Sequence, residues 1–184
     1  GPMRAAAEKS LGGMSNFRSI NASAVARTLA DRSIDLVVAA QAFHWFDPRA
    51  TRTEMARILK PGGYVLLMWN DRKLDGTPFL EAYENLLLGY GTDYKKVRHN
   101  NIAASEIAAF FAPAGFEQAT FPSAQHLDFA GLRNRLMSSS YVPVPTDPRH
   151  APMLAELQRI FDRYNQQGRV TIEYQTELFY GRLT

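Results

Sequence analysis

Two carboxamides, a histidine and a tryptophan stand where two apolar runs of this sequence end. Gln41-Ala42-Phe43-His44-Trp45 follows Ile34–Ala40, and Asn70-Asp71 follows Tyr64–Trp69. His44 is the group suited to proton transfer, because a neutral imidazole can take a proton from a substrate hydroxyl or amine near neutral pH. Its competing role is structural, ordering Trp45 and the start of the next helix. Asn70 is placed to touch a substrate, although an Asn-Asp pair is equally ordinary turn chemistry. Trp45 and Phe46 either wall a substrate pocket or fill the core at a strand–helix junction, and core is the expectation. Glu81 and Glu84 read as a solvated helix face. His99, His126 and His150 lie in polar stretches without ligand spacing, so no metal site is expected. Lys95, Lys96, Arg98, Arg133 and Arg135 either receive an anionic substrate or keep the surface solvated, and the surface reading is preferred.

The elements that must position these groups are legible from period and punctuation. Residues 3–11 read as a short helix stopped by Gly12-Gly13, residues 17–20 as a short strand, and residues 24–29 as a helical turn. Ile34–Ala40 is short, nearly all apolar and rich in β-branched residues, which suits a strand buried on both faces of a parallel sheet. Asp47-Pro48 opens a helix to about Lys60, since Asp47 can accept from orphan backbone N–H groups and Pro48 has the φ of a first helical position. Pro61-Gly62-Gly63 ends it, and Tyr64–Trp69 is a second buried strand, completing a right-handed βαβ unit. Thr77-Pro78 starts another helix with Phe79, Leu80, Tyr83, Leu86 and Leu87 at helical spacing. Ser105 is expected to cap a helix through Phe111, Phe116–Phe121 to form a strand, and 128–137 a helix. Asp147-Pro148 is expected to open a longer helix stopped by Gly168. Alternation over Val170–Tyr180 marks a closing antiparallel strand.

Composition narrows the function classes. The chain has 184 residues, 46% of them hydrophobic and 21% charged, as in one ordinary globular domain. Its net charge of +3 is small and scattered with no run of five like charges, so no nucleic-acid partner is expected. With no cysteine there is no disulfide, thiolate zinc site or thiol nucleophile, which fits a cytoplasmic protein. No membrane association is expected, because no apolar run reaches the length of a span. Gly1-Pro2 before Met3 looks like a protease-cleavage scar, leaving residues 3–184 as a single domain.

The stretch Ser33–Asp47 resembles strand 4 and its trailing loop in class I S-adenosylmethionine-dependent methyltransferases, most closely the small-molecule type 11 group. Ala56-Arg57-Ile58-Leu59-Lys60-Pro61-Gly62-Gly63-Tyr64 is similar to the helix-to-strand-5 signature of the same families, and Leu-Lys-Pro-Gly-Gly before an apolar strand is hard to match elsewhere. Ala114-Gly115-Phe116 resembles the entry to strand 6, and Val170–Tyr180 resembles strand 7. The resemblance implies an α/β, Rossmann-like fold with a mainly parallel sheet and an antiparallel C-terminal strand. It implies S-adenosylmethionine as cofactor, with Ser23, Ala24, Gln41 and Ala42 as its vestigial contacts, His44 as the catalytic candidate, and Trp45 and Asn70 at the substrate pocket.

Two departures follow from the same resemblance. The family's first strand ends in a glycine-rich turn against the cofactor, and its second in an acidic residue on the ribose hydroxyls, by the physics that governs dinucleotide sites. Neither precedes Met3, so a cofactor segment on the order of 50–60 residues is expected to be lacking. Gly89-Tyr90-Gly91 follows a helix and does not replace it. Ser23 and Val25 stand where acids are usual, which removes charge assistance. Cofactor binding and turnover by this chain are therefore expected to be impaired. The strand at Ile34–Ala40 would keep an unpaired apolar edge, repaired either by residues 17–20 closing beside it or by a homodimer. The alternatives to a small-molecule methyltransferase are a non-catalytic assembly or regulatory module, and a reused pocket with other chemistry around His44.

Overall fold

The computed structural model describes residues 2–26, 28–92, 94 and 103–183. In chain order the elements are α1 (Pro2–Leu11), β1 (Ile34–Ala40), a 3-10 turn (Phe43–Trp45), α2 (Pro48–Ile58), β2 (Leu59–Arg72), α3 (Pro78–Tyr90), α4 (Ala104–Phe111), β3 (Glu117–Leu127), α5 (Phe129–Met137), α6 (His150–Tyr164) and β4 (Val170–Gly181). The described strands form one four-stranded sheet in the order β1-β2-β4-β3. β1 pairs parallel with β2, while β4 runs antiparallel to both β2 and β3. Three strands therefore share one direction and only the last opposes them, which is the architecture read from the sequence.

The capping residues explain where several helices start. Asp47 accepts from the Ala50 N–H at 2.9 Å, Thr77 from Leu80 at 3.2 Å and Asp128 from Gly131 at 2.7 Å. Two expected caps fail. The helix at 104–111 has Ala103 at its N-cap with no side-chain bond, so Ser105 lies inside it. Asp147 spends its carboxylate on the Arg149 backbone N–H and guanidinium, and α6 begins at His150 instead of Pro148. That pairing, guanidinium first, pulls the Asp147 carboxyl down to about 2.

The Pro61-Gly62-Gly63 stop is a bulge within β2. Ile34 pairs with Leu59 and Leu36 with Tyr64, so the intervening β2 residues are extruded from the ladder. Gly62 has φ +81°, and a Cβ on Gly63 would lie 3.0 Å from the Asp35 carbonyl oxygen, so both positions require glycine.

Two apolar cores flank the sheet. Phe79, Leu80, Tyr83, Leu86 and Leu87 of α3 pack with Leu132, Leu136, Met153, Leu157, Ile160 and the inner residues Val170, Ile172 and Tyr174 of β4. On the other side Ala39, Phe43, Met55, Val65, Leu67 and Trp69 pack with Ile107, Phe110 and Phe111 of α4. Arg52 ties α2 to this side by donating to the carbonyls of Phe110, Ala112 and Leu183 at 2.7–2.8 Å.

Two expectations about β1 are corrected. It is not buried on both faces: Leu36 and Val38 each keep 50% of their surface exposed. Among the described strands the first core draws on Val170, Ile172 and Tyr174 of β4 and on no residue of β1. Residues 17–20 form no strand either. β1 pairs with β2 alone among the described strands and keeps its other edge open.

Candidate functional site

The carboxyl end of β1 runs into Gln41, whose φ of +52° places a non-glycine residue in the left-handed region. That conformation costs on the order of 1 kcal/mol and is held by its surroundings. The Gln41 N–H donates to the Met68 carbonyl at 2.9 Å, and its side-chain Nε2 donates to the Asn70 carbonyl at 3.3 Å. The Asn70 Oδ1 accepts from the Thr176 hydroxyl at 2.7 Å. Gln41, Asn70 and Thr176 thus link the carboxyl ends of β1 and β2 to the middle of β4.

Beyond Gln41 the 3-10 turn sorts its aromatic residues. Phe43 is fully buried against Phe46, Trp69 and Phe110. Trp45 is 77% exposed, which corrects the expectation of a core tryptophan; the short turn points it away from the core that Phe43 fills. His44 is half-buried, lies 4.9 Å from Trp45 between ring centroids, and makes no hydrogen bond among the described residues. No group therefore fixes its tautomer.

The remaining sequence-selected residues gather elsewhere. Ser23, Ala24 and Ala42 line a groove of about 400 Å³ between residues 20–29, β1 and α2. Its other walls include Val37, Val38, Phe46, Met55 and Ile58, and its polar lining is Ser23, Thr28 and Glu54. Gln41, His44, Trp45 and Asn70 do not line it. Arg135 is half-buried and donates to the Tyr174 hydroxyl at 3.2 Å, so it is a packing residue and not a surface cation. Glu84 is likewise buried, paired with Arg72 and accepting from the Tyr94 hydroxyl at 2.5 Å, in place of the solvated face expected of it. Burial first, and then that bond, push the Tyr94 phenol up to about 12. Lys95, Lys96, Arg98 and His99 lie outside the described residues.

Sequence reasoning passed over Asp71 and Glu177. Glu177 pairs in register with Trp69, and Asp71 lies two residues further along β2 on the same face. Burial raises the Asp71 carboxyl above its ordinary value; burial and then repulsion from Asp71 raise Glu177. Asp71 follows Asn70 at the end of the Tyr64–Trp69 run and Glu177 lies within the alternation of β4, and the two come together only once the β2–β4 register is known.

A sequence profile described as "Methyltransferase domain" matches residues 1–67. Two Schizosaccharomyces pombe proteins resemble most of the chain. An uncharacterised methyltransferase-like protein is 31% identical over 85% of this chain and 61% of its own length. An uncharacterised methyltransferase is 32% identical over 84% and 63%. These matches support a class I S-adenosylmethionine-dependent methyltransferase. It spans about three-fifths of the length of these two relatives. The methyltransferase fold is also seen in a proposed type II methyltransferase from Anaeromyxobacter dehalogenans, which superposes with a TM-score of 0.59 at 19% identity over 88% of this chain and 70% of that one.

The groove fits one end of the family's cofactor and not the other. Its apolar walls suit a flat purine ring. A ribose diol calls for a carboxylate acceptor, and the described lining offers Glu54. Glu54 already receives Arg57 Nε at 2.9 Å and Nη2 at 2.6 Å. Among the described residues no lysine or arginine lines the groove to meet the carboxylate of the cofactor's amino-acid end. Among the described residues the whole of S-adenosylmethionine is not accommodated.

Proposed function

We propose that these 184 residues supply the acceptor side of a methyltransferase acting on a small molecule, and that alone they transfer methyl groups slowly or not at all. The observation that carries this reading is the connected edge Gln41–Asn70–Thr176. Ligands of α/β sheets sit at the carboxyl ends of strands, and here Gln41 and Asn70 at the ends of β1 and β2, with Thr176 of β4 bonded to Asn70, present a polar rim beside half-buried His44 and exposed Trp45. In that arrangement Trp45 offers an apolar wall, Asn70 a fixed carboxamide, and His44 a base within the same turn. Weak cofactor binding is supported by the groove, whose carboxylate is committed to Arg57.

Calorimetric titration of the chain with S-adenosylmethionine and S-adenosylhomocysteine tests this directly. No binding at micromolar ligand is the expected result. Micromolar affinity would overturn the impaired reading and leave the acceptor-side assignment to be tested by His44→Ala and Asn70→Ala in a turnover assay.

A second reading, an assembly module without catalysis, is favoured by one feature. β1 is an edge strand with Leu36 and Val38 half-exposed beside its unpaired backbone. In this reading two copies pair through β1 as a homodimer. Light scattering that returned a monomer across the accessible concentration range would remove it.

A further inference from the structure

We propose that the small molecule whose acceptor side this chain supplies carries a carboxylate, and that the Arg135 guanidinium binds it one step along the sheet from Asn70. The inference rests on the acceptor-side reading above and adds the chemical class of the acceptor. Two arginines meet the sheet on the side of α3, α5 and α6, and they are partnered differently. Arg72 donates to the buried carboxylate of Glu84 and to the Tyr94 hydroxyl, so its charge is matched. Arg135 is half-buried, and its partners among the described residues are neutral: Nε donates to the Tyr174 hydroxyl at 3.2 Å and Nη1 to the Ser139 hydroxyl at 3.4 Å. Those bonds pack its stem under α5 and leave the rest of its N–H fork uncommitted among the described residues. A charge withdrawn from water among neutral partners is costly, and an anion arriving beside it recovers that cost.

Register places that guanidinium beside the rim. Thr176 pairs with Asn70 and Phe121, and Tyr174 pairs with Arg72 and Ser123. These side chains therefore share one face, in adjacent rows about 7 Å apart along the strand. Ser123 Oγ lies 3.2 Å from Thr176 Oγ1, and the Tyr174 hydroxyl donates to Gln125 Oε1 at 2.9 Å. The rim that begins at Gln41 and Asn70 thus continues over Thr176 and Ser123 to Tyr174, with Arg135 at its far end. Ser123 and Gln125 are exposed, so a solute reaches this strip, and exposed Phe121 gives it an apolar neighbour. A planar guanidinium meets a carboxylate with paired N–H···O bonds, and one unmatched positive charge suits one negative charge. An acceptor held there by its carboxylate extends along the strip toward Asn70.

The test is an amide-resolved NMR titration of the 184-residue chain with benzoate and with benzamide, which has nearly the same shape and no charge. Benzoate is expected to bind with a dissociation constant on the order of 1 mM and benzamide about tenfold or more weakly, because charge-assisted hydrogen bonds are roughly twice as strong as neutral ones. The amide shifts should centre on Ser123, Gln125, Arg135 and Tyr174. Arg135→Met keeps apolar bulk under α5 and should bring benzoate down to the affinity of benzamide, with the circular dichroism spectrum unchanged. Arg135→Lys, which retains the charge without the fork, should fall between the two. Equal affinities for the two probes in the unmodified chain would overturn the inference, since a packing role alone gives no preference for an anion, and this comparison decides even where a variant unfolds. No shifts at millimolar benzoate, shifts away from the strip, or an affinity untouched by Arg135→Met would overturn it too, while leaving the acceptor-side reading intact. Phenyl phosphate binding about tenfold or more tightly than benzoate would overturn the choice of carboxylate. Benzoate selectivity at Arg135 together with turnover that His44→Ala and Asn70→Ala leave unaltered would do the reverse, keeping the anion site and overturning the acceptor-side reading.

Discussion

The sheet face under α3, α5 and α6 and the outer face of β1 are made of the same kinds of side chain, yet Val170 and Ile172 of β4 are buried while Leu36 and Val38 stay half-exposed. The difference lies in what covers them. α3 packs along α6, and both close over β4. Over the outer face of β1 no described helix lies. Periodicity tells which side chains share a face, and coverage is a tertiary fact that no local pattern contains.

Charge sharpens the comparison most. Arg72 and Glu84 form an ion pair whose side chains are each 10% exposed, buttressed by the Tyr94 hydroxyl at 2.8 Å from Arg72 and by the Tyr83 ring at 5.2 Å. Glu84→Gln leaves a buried guanidinium without its countercharge and is expected to cost about 3–5 kcal/mol in urea unfolding. Lys60 and Asp35, paired at 2.9 Å beside β1, are both well exposed. Lys60→Met is expected to cost under about 1 kcal/mol. Equal losses would mean that the two regions do not differ in solvent access as described.

Apolar truncation gives the next largest contrast. Leu157→Ala in α6 removes a fully buried side chain and is expected to cost about 2–5 kcal/mol, with a cavity contribution. Leu36→Ala in β1 removes a half-exposed one and is expected to cost under about 1 kcal/mol. Comparable unfolding midpoints would show that β1 is covered in solution, which is the outcome that a β1-mediated dimer produces.

The same contrast explains what the sequence disclosed. The βαβ unit, the Asp47 and Thr77 helix starts, and the β4 alternation are local signals, and each stands where it was read. Residues 17–20 and the two-sided burial of β1 depended on neighbours, and neither is found. At the site, the strand-end position of Gln41, Asn70 and His44 was legible. The bond from Gln41 to Asn70, the capture of Glu54 by Arg57 and the Asp71–Glu177 pairing require register and helix placement, so no spacing in the chain announces them.

Caps provide a control that should ignore the comparison. Thr77 begins α3 in the covered region and Asp47 begins α2 beside β1, each with a bond to a backbone N–H. Thr77→Ala and Asp47→Ala are each expected to cost about 1 kcal/mol, because a cap acts on its own helix end. A much larger loss at Thr77 alone, read from the same urea midpoints, would mean that coverage amplifies even local terms.

The smallest effect concerns Asp71, at the end of β2. Burial raises its carboxyl above the ordinary range, so the folded state retains a proton that the unfolded chain has released. Between the ordinary value and the raised one, stability falls as pH rises, and above the raised value the deficit is fully present. Asp71→Asn removes the ionisation and should be the more stable protein at pH 7, by less than about 1 kcal/mol because the group is half-solvated. At pH 3 the aspartate is protonated in both states and the advantage should vanish. Glu177, whose carboxyl is raised partly by Asp71, should titrate closer to the ordinary glutamate value in the variant, a shift that NMR of its side-chain carboxyl can follow. An advantage that is the same at pH 3 and pH 7 would place the benefit of asparagine in its packing or hydrogen bonding and not in the lost charge.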